Sequence, residues 1–347
     1  MDQKKRLDWV DAAKGIGIFL IVVSHSIRPD MREAHAVWRI LYDVIIAFSI
    51  GMFLTLSGVT YQIADSRRTA EPKRFLMRRV QTLLLPFFGY ALLIYAVFSF
   101  AVWFPPTARV FQGSEYGSMP FGEYLRLTLW ADSPYSAHLW FIWVLFWITV
   151  IVYALDLLCE RWKLPRRKVL WCAAILLCLA GSLKWQSSVV QRTLTHTVYF
   201  VYGTEVAARP ELLKRNNVYT AAAFLLSAGM LVWYVAAGWY IVPWRGQVWW
   251  QICWLAVRLV FISGIFRLTL RLNGVSHLTG LGRESFWVYL LHQPFCCGFV
   301  GLLLYSKLGL PIPLVCAVSV SMGLLLPLCA VRLGRRALQY LRRRPAA

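Results

Sequence analysis

The chain has 347 residues, 59% of them hydrophobic and only 15% charged, a composition too apolar and too poor in charge for a soluble domain of this length. A formal net charge of +21 would point a soluble protein toward nucleic acid. Here Lys and Arg fall in every second loop between apolar runs, the distribution of cytoplasmic loops beside anionic lipid, which argues against nucleic acid as a partner and for the membrane.

At the amino terminus Lys4, Lys5 and Arg6 precede a long apolar run with no small-residue cleavage site, so the run reads as a retained first helix. Apolar runs then follow at 12–28, 37–61, 80–104, 138–158, 169–184, 195–207, 218–237, 248–270, 285–304 and 312–331. Those of about 20 residues can cross a hydrocarbon layer of about 30 Å as helices with internally satisfied backbone bonds. The expected fold is all-α: a polytopic transmembrane bundle of about ten helices, one domain over 1–347. An inside amino terminus puts loops 1–11, 62–79, 159–168, 208–217, 271–284 and 332–347 in the cytoplasm, and these hold 25 of the 37 Lys and Arg. That asymmetry places both termini inside. Trp9, Trp103, Trp162, Trp244 and Trp249 fall near predicted ends, as interfacial anchors do.

The sixth run is short and carries Glu205, which predicts a tilted, broken or protein-enclosed segment. The longest external connection, Phe104 to Ala137, holds Pro105, Pro106, Gly113, Gly117, Pro120, Gly122 and Pro134. That composition favours turns and makes the connection a candidate rim for a substrate entering from outside. The eight cysteines lie mostly inside apolar runs, without a CxxC pair or a nearby His at ligand spacing. They read as packing residues, with no metal expected.

An ionisable group in hydrocarbon costs several kcal/mol unless paired or hydrated, so each marks a functional position. Asp11, Lys14 and His25 share one face of the first helix, because 11 residues make three turns plus about 20°. His25 then lies in the outer half of the membrane. Asp11 and Lys14 stay at the cytoplasmic mouth, where Lys14 can meet an anionic ligand or pair with Asp11. The competing reading is a core histidine bonded to a carbonyl and a lysine that merely snorkels. On the ninth helix, Ser285 and Tyr289 fall on the His292 face and offer it a purely structural partnership. Arg258, near the middle of the eighth span, needs a partner: Asp43, Glu205 and a bound phosphate are the options. Lys73, Arg74, Arg78 and Arg79 crowd just before the third helix, enough charge for the phosphates of coenzyme A, although cytoplasmic loops are basic in any case. The chain has no Gly-rich phosphate loop, GxSxG or HExxH.

The ordered set of short motifs resembles the acyltransferase 3 family, and within it the fucose 4-O-acetylase-like branch. The residues that carry the resemblance span most of the chain: Trp9-Val10-Asp11-Ala12-Ala13-Lys14-Gly15 with Val23-Ser24-His25-Ser26, then Met52-Phe53-Leu54-Thr55-Leu56-Ser57-Gly58, then Arg74-Phe75 and Arg78-Arg79 leading to Leu84-Leu85-Pro86-Phe87, then His138-Leu139-Trp140-Phe141, and last Gly282-Arg283 through Tyr289-Leu290-Leu291-His292. The chain departs from that branch at Phe48-Ser49-Ile50-Gly51, where Phe-His-Met-Pro is usual, and at Gln81-Thr82, where a second arginine of an Arg-x-x-Arg pattern would stand.

The resemblance implies a cytoplasmic acyl-CoA donor, most often acetyl-CoA, and an acceptor hydroxyl on an envelope glycan or lipid-linked sugar outside a bacterial inner membrane. In that scheme Lys14, Arg78 and Arg79, with Arg74, hold the CoA phosphates, and His25 is the general base on the sugar hydroxyl. Asp11 orients Lys14, Ser57 or Arg258 polarises the carbonyl or places the acceptor, and His138, Trp140 and His292 complete the acceptor side. A two-step variant passes the acyl group through an enzyme nucleophile. The rival from another class is a proton-coupled secondary transporter, whose inverted repeat is not evident in the sequence.

Overall fold

A computed structural model describes residues 7–64, 71–111, 119–183, 185–214, 218–237, 248–272 and 275–343. Lys4, Lys5 and Arg6, Gly113, Gly117 and Trp244 lie outside the described residues, as does Lys184 at the end of the fifth expected span. All regular structure among the described residues is helical. The helices are α1 (Asp8–Ser26), α2 (Pro29–Ala34), α3 (Ala36–Ile63), α4 (Pro72–Trp103), α5 (Pro105–Phe111), α6 (Phe121–Trp130), α7 (Trp140–Arg161), α8 (Arg166–Gly181), α9 (Ser188–Ala208), α10 (Glu211–Lys214), α11 (Val218–Ala237), α12 (Val248–Arg271), α13 (Ser276–Arg283), α14 (Ser285–Lys307) and α15 (Ile312–Arg343).

Every expected span coincides with a helix, and seven of them (α1, α3, α4, the segment 137–161, α12, α14 and α15) are long and apolar enough to cross a membrane. Leu92, Leu93 and Phe100 on α4, Leu225 and Leu226 on α11, and Leu325 and Leu326 on α15 are exposed. Bands of that kind suit lipid and would be a liability in water.

Several boundaries differ from the sequence reading, among them the last, since α15 runs on to Arg343 rather than ending at 331. α4 starts at Pro72 rather than at 80, because Phe75 is buried and holds the basic turn PKRFLMRR onto the protein. α9 starts at Ser188, where the Ser187 hydroxyl accepts from the Val190 amide as an N-cap. Of the options for that segment, the protein-enclosed one holds: Thr197, Val198, Phe200 and Val201 are almost fully buried. The connection after Phe104 is not merely turns, since α6 docks by burying Tyr124, whose hydroxyl donates to the Ala91 carbonyl at 2.7 Å.

The chain divides into two compact units, residues 1–49, 218–241 and 260–347, and residues 50–217 and 242–259. In the first unit α1 crosses α13 backbone to backbone: a Cβ on Gly15 would meet the Leu278 carbonyl, and one on Gly282 the Asp11 carbonyl. Close approach of this kind needs small residues at the crossing. Phe224 stacks on Phe261 with centroids 5.2 Å apart, and Phe48 meets Phe261 edge-on at 4.7 Å. In the second unit α3 and α9 cross in the same manner, Gly58 against the Phe200 carbonyl and Gly203 against that of Thr55. The glycine of the Ser57-Gly58 motif therefore serves a helix crossing.

Two helices are locally underwound to π geometry: α4 and α14 beside a proline, and α14 again over residues 302–307. Residues 80–84 of α4 precede Pro86, and residues 292–299 of α14 contain Pro294. Proline removes one amide donor and crowds the carbonyl four residues back, so the ladder widens there. Before Pro294, Gln293 leaves the helical region for extended geometry (φ −119°, ψ 153°), as a pre-proline residue tends to do.

Candidate active site

In the first unit His25 occupies the last turn of α1, half-buried, and its imidazole makes no side-chain hydrogen bond among the described residues. The reading of His25 as a histidine tied to a carbonyl is thus not what the structure has. Its ring meets the His292 ring edge-on, with centroids 5.0 Å apart and planes at 61°. His292 is fully buried, and its Nδ1 lies 2.7 Å from the Tyr289 carbonyl and 3.2 Å from that of Val288. Carbonyl oxygens only accept, so neutral His292 carries its proton on Nδ1 and a lone pair on Nε2. It is the Tyr289 carbonyl, not its hydroxyl or that of Ser285, that fixes this ring.

The extended Gln293 turns its amide to the end of α1, donating to the His25 carbonyl at 3.2 Å. Ser24 and Ser26 bond back to the carbonyls of Ile21 and Val23. Just beyond α1, Arg28 pairs with Asp30 at 3.2 Å, which also accepts from Ser306, and the Arg32 guanidinium lies 3.9 Å above the Tyr42 ring, within electrostatic reach of His25. At the other end of α1, Asp11 is buried and Arg283 Nε lies 3.6 Å from its carboxylate, while Lys14 is half-buried. Lys14 and His25 are about 16 Å apart along the helix axis.

In the second unit the basic segment divides into layers. Lys73, Arg74 and Arg78 are exposed, whereas Arg79 is half-buried with its guanidinium 5.2 Å above the Phe75 ring. Phe75 stacks on Tyr153 at 3.8 Å. Beside them Asp156, buried in α7, accepts from the Tyr61 hydroxyl at 2.9 Å and from Arg166 at 2.6 and 3.2 Å. Glu205 is bound by Arg167 at 3.0 Å and Arg209 at 3.2 Å. Glu205 is therefore engaged elsewhere and is not the partner of Arg258.

Ser57 is half-buried and donates to the Phe53 carbonyl of its own helix at 2.8 Å. His138 is buried edge-on to Tyr90 at 6.1 Å. Trp140 and Arg258, both expected at the site, are joined through residues the sequence did not single out. Arg192 lies 4.6 Å above Trp140, His196 meets Trp140 at 5.9 Å and Tyr199 at 6.0 Å, and Arg258 donates to the Tyr199 hydroxyl at 3.3 Å. Arg192, His196 and Tyr199 recur every three or four residues on one face of α9, and that spacing is the signal that would have found them.

The family profile described as an acyltransferase domain matches residues 7–331, nearly the whole chain and both units. The chain belongs to the acyltransferase 3 family. Comparisons with curated proteins and with solved structures returned no match. As an acyltransferase 3 protein with seven helices able to cross a membrane, it is a multi-pass membrane acyltransferase. The two imidazoles and the cationic residues around them are thus groups available for acyl transfer, and none of the described His, Cys, Asp and Glu residues cluster as a metal site.

Proposed function

We propose that the protein moves an acetyl group from cytoplasmic acetyl-CoA to a sugar hydroxyl of an envelope or exported glycan at the inner membrane of a bacterium, as in the fucose 4-O-acetylase-like branch, with His25 as general base. The observation that carries this reading is the His25 imidazole, half-buried and without a hydrogen bond of its own in an otherwise packed helix, beside a second imidazole of fixed tautomer. An imidazole with no hydrogen bond of its own has a ring nitrogen free to take a proton from a bound hydroxyl.

Neutral His25 takes the proton of the sugar hydroxyl as its oxygen attacks the thioester carbonyl. The tetrahedral intermediate collapses by breaking the C–S bond, and the imidazolium returns its proton to the departing CoA sulfur, which gives an O-acetyl sugar and free CoA. His292, with Nδ1–H given to backbone carbonyls, presents the lone pair of Nε2 and orients its neighbour. At the donor side the exposed Arg74 and Arg78, the half-buried Arg79 and Lys14 bind the phosphates, a role that suits flexible and forked cations. Asp11, paired with Arg283, holds the cytoplasmic end of α1. Ser57 and Arg258 place the acyl carbonyl and the acceptor, and His138, Trp140 and His292 line the acceptor side.

The test is a His25→Gln variant, with His25→Ala beside it, in cells whose envelope glycans are analysed by mass spectrometry. Loss of O-acetyl groups at normal protein level is expected. Wild-type acetylation from either variant overturns the base assignment.

A further inference from the structure

We propose that Arg192, His196, Tyr199 and Arg258 form the seat of a carboxylate-bearing sugar, so that the acceptor is an acidic glycan; this rests on the acyl-transfer reading above. Arg258 lies about 15 Å from the start of α12 along its axis, too deep to snorkel. It has the Tyr199 hydroxyl at 3.3 Å and the Trp254 ring at 5.0 Å, while its Nε is buried without a hydrogen-bond partner. Among the described residues no carboxylate reaches it: Asp156 is taken by Arg166 and Tyr61, and Glu205 by Arg167 and Arg209.

Arg192 is the second cation. It rests on the Trp140 ring and donates to the Ala131 carbonyl at 3.2 Å, and both arginines are within electrostatic reach of His196. A second guanidinium near a buried arginine whose Nε has no hydrogen-bond partner makes a bound anion favourable there in a membrane-embedded protein. The imidazole itself is prepared to accept: its Nδ1 lies 2.8 Å from the Arg192 carbonyl, which fixes the proton there and leaves Nε2 a lone pair for a hydroxyl. Forked donors for a carboxylate, an acceptor for an adjacent hydroxyl and an indole wall together match an acidic pyranose.

The departure from the branch pattern at Gly51 has a place in this arrangement. A Cβ on Gly51 would stand 2.7 Å from the Tyr199 ring, so glycine lets that ring lie flush and reach Arg258 with its hydroxyl. By the charge asymmetry of the loops, α9 and α12 both begin on the outer side, where an exported glycan and not the CoA phosphates would arrive.

The experiment uses full-length protein in lipid nanodiscs, intrinsic tryptophan fluorescence as readout, and digalacturonate, a glucuronate-containing disaccharide, a sialyl disaccharide and neutral digalactose as probes. At least one acidic probe is expected to bind saturably and digalactose at least tenfold more weakly. Arg258→Gln and Arg192→Gln should each weaken acidic-probe binding at least tenfold, Arg258→Lys less, and Gly51→Ala several-fold, with unchanged elution of the protein on size exclusion. No saturable binding of any acidic probe, equal binding of the neutral one, indifference to both arginine substitutions, or competitive displacement by acetyl-CoA would each overturn the assignment. His25→Gln separates the two proposals: it should retain acidic-probe binding. Binding without acetyl transfer by the wild type refutes the acyl-transfer reading alone, whereas transfer to neutral and acidic acceptors with KM values unmoved by Arg258→Gln refutes this site alone.

Discussion

Gly280 and Gly282 lie two residues apart on α13, yet the same substitution should move them in opposite directions. Around Gly280 a Cβ finds open space, while at Gly282 it runs into the Asp11 carbonyl of α1. Gly280→Ala should therefore gain the helix-propensity difference, roughly 0.5–1 kcal/mol. Gly282→Ala gains the same amount but must push two backbones apart, an overpacking cost of about 1–3 kcal/mol, and is expected to be destabilised by roughly 1–2 kcal/mol. At this chain length that separates the pair by several degrees in thermal unfolding, at about 2 °C per kcal/mol. Since α1 carries Lys14 and His25, the displaced helix should also lose about tenfold or more in turnover, for which a misplacement near 1 Å suffices. Purified variants in one detergent, followed by thermal unfolding and acetyl-CoA consumption, provide the assay. If Gly282→Ala is stabilised along with Gly280→Ala, the backbone crossing of α1 and α13 is wrong.

Asp156→Asn should cost about 2 kcal/mol, less than the roughly 3–5 kcal/mol of a fully buried broken pair because Arg166 is a third exposed and can turn to water. A double-mutant cycle with Tyr61→Phe in thermal unfolding should show coupling, and strict additivity would count against the shared carboxylate. Gln293→Leu removes the donor to the His25 carbonyl and should lower kcat about tenfold with KM for acetyl-CoA unchanged in steady-state assays; a change confined to KM would contradict its positioning role. Arg78→Gln should raise KM for acetyl-CoA several-fold at low salt and less at high salt, since an exposed cation is screened. An effect independent of ionic strength would place Arg78 away from the phosphates.

The helices themselves are legible in the sequence because lipid requires long apolar runs, and the runs beginning at 12 and 285 coincide with α1 and α14. The first two turns of α9 are not legible: Gln191, Arg192 and Thr193 look like a loop, yet the Ser187 cap starts a helix through them and Thr193 is buried. Arg258 announces itself as an isolated charge in an apolar run, but its partner does not, because Tyr199 is a hydroxyl among many and Glu205 is the more conspicuous candidate. His292 shows its place on a helix face, while the carbonyls that fix its tautomer carry no sequence signature. Gln293 becomes a contact of α1 through the extended backbone before Pro294, a geometry that a helical reading of the segment passes over.

In the proposed reaction His25 passes a proton between a hydroxyl outside and a thioester supplied from within. The most direct measurement traps acetyl-labelled acetyl-CoA inside sealed proteoliposomes whose outer medium holds an acceptor glycan, with His25→Gln protein inserted in parallel. Label is expected on the external glycan with the wild type and none above background with the variant. Equal labelling by the two proteins would contradict it.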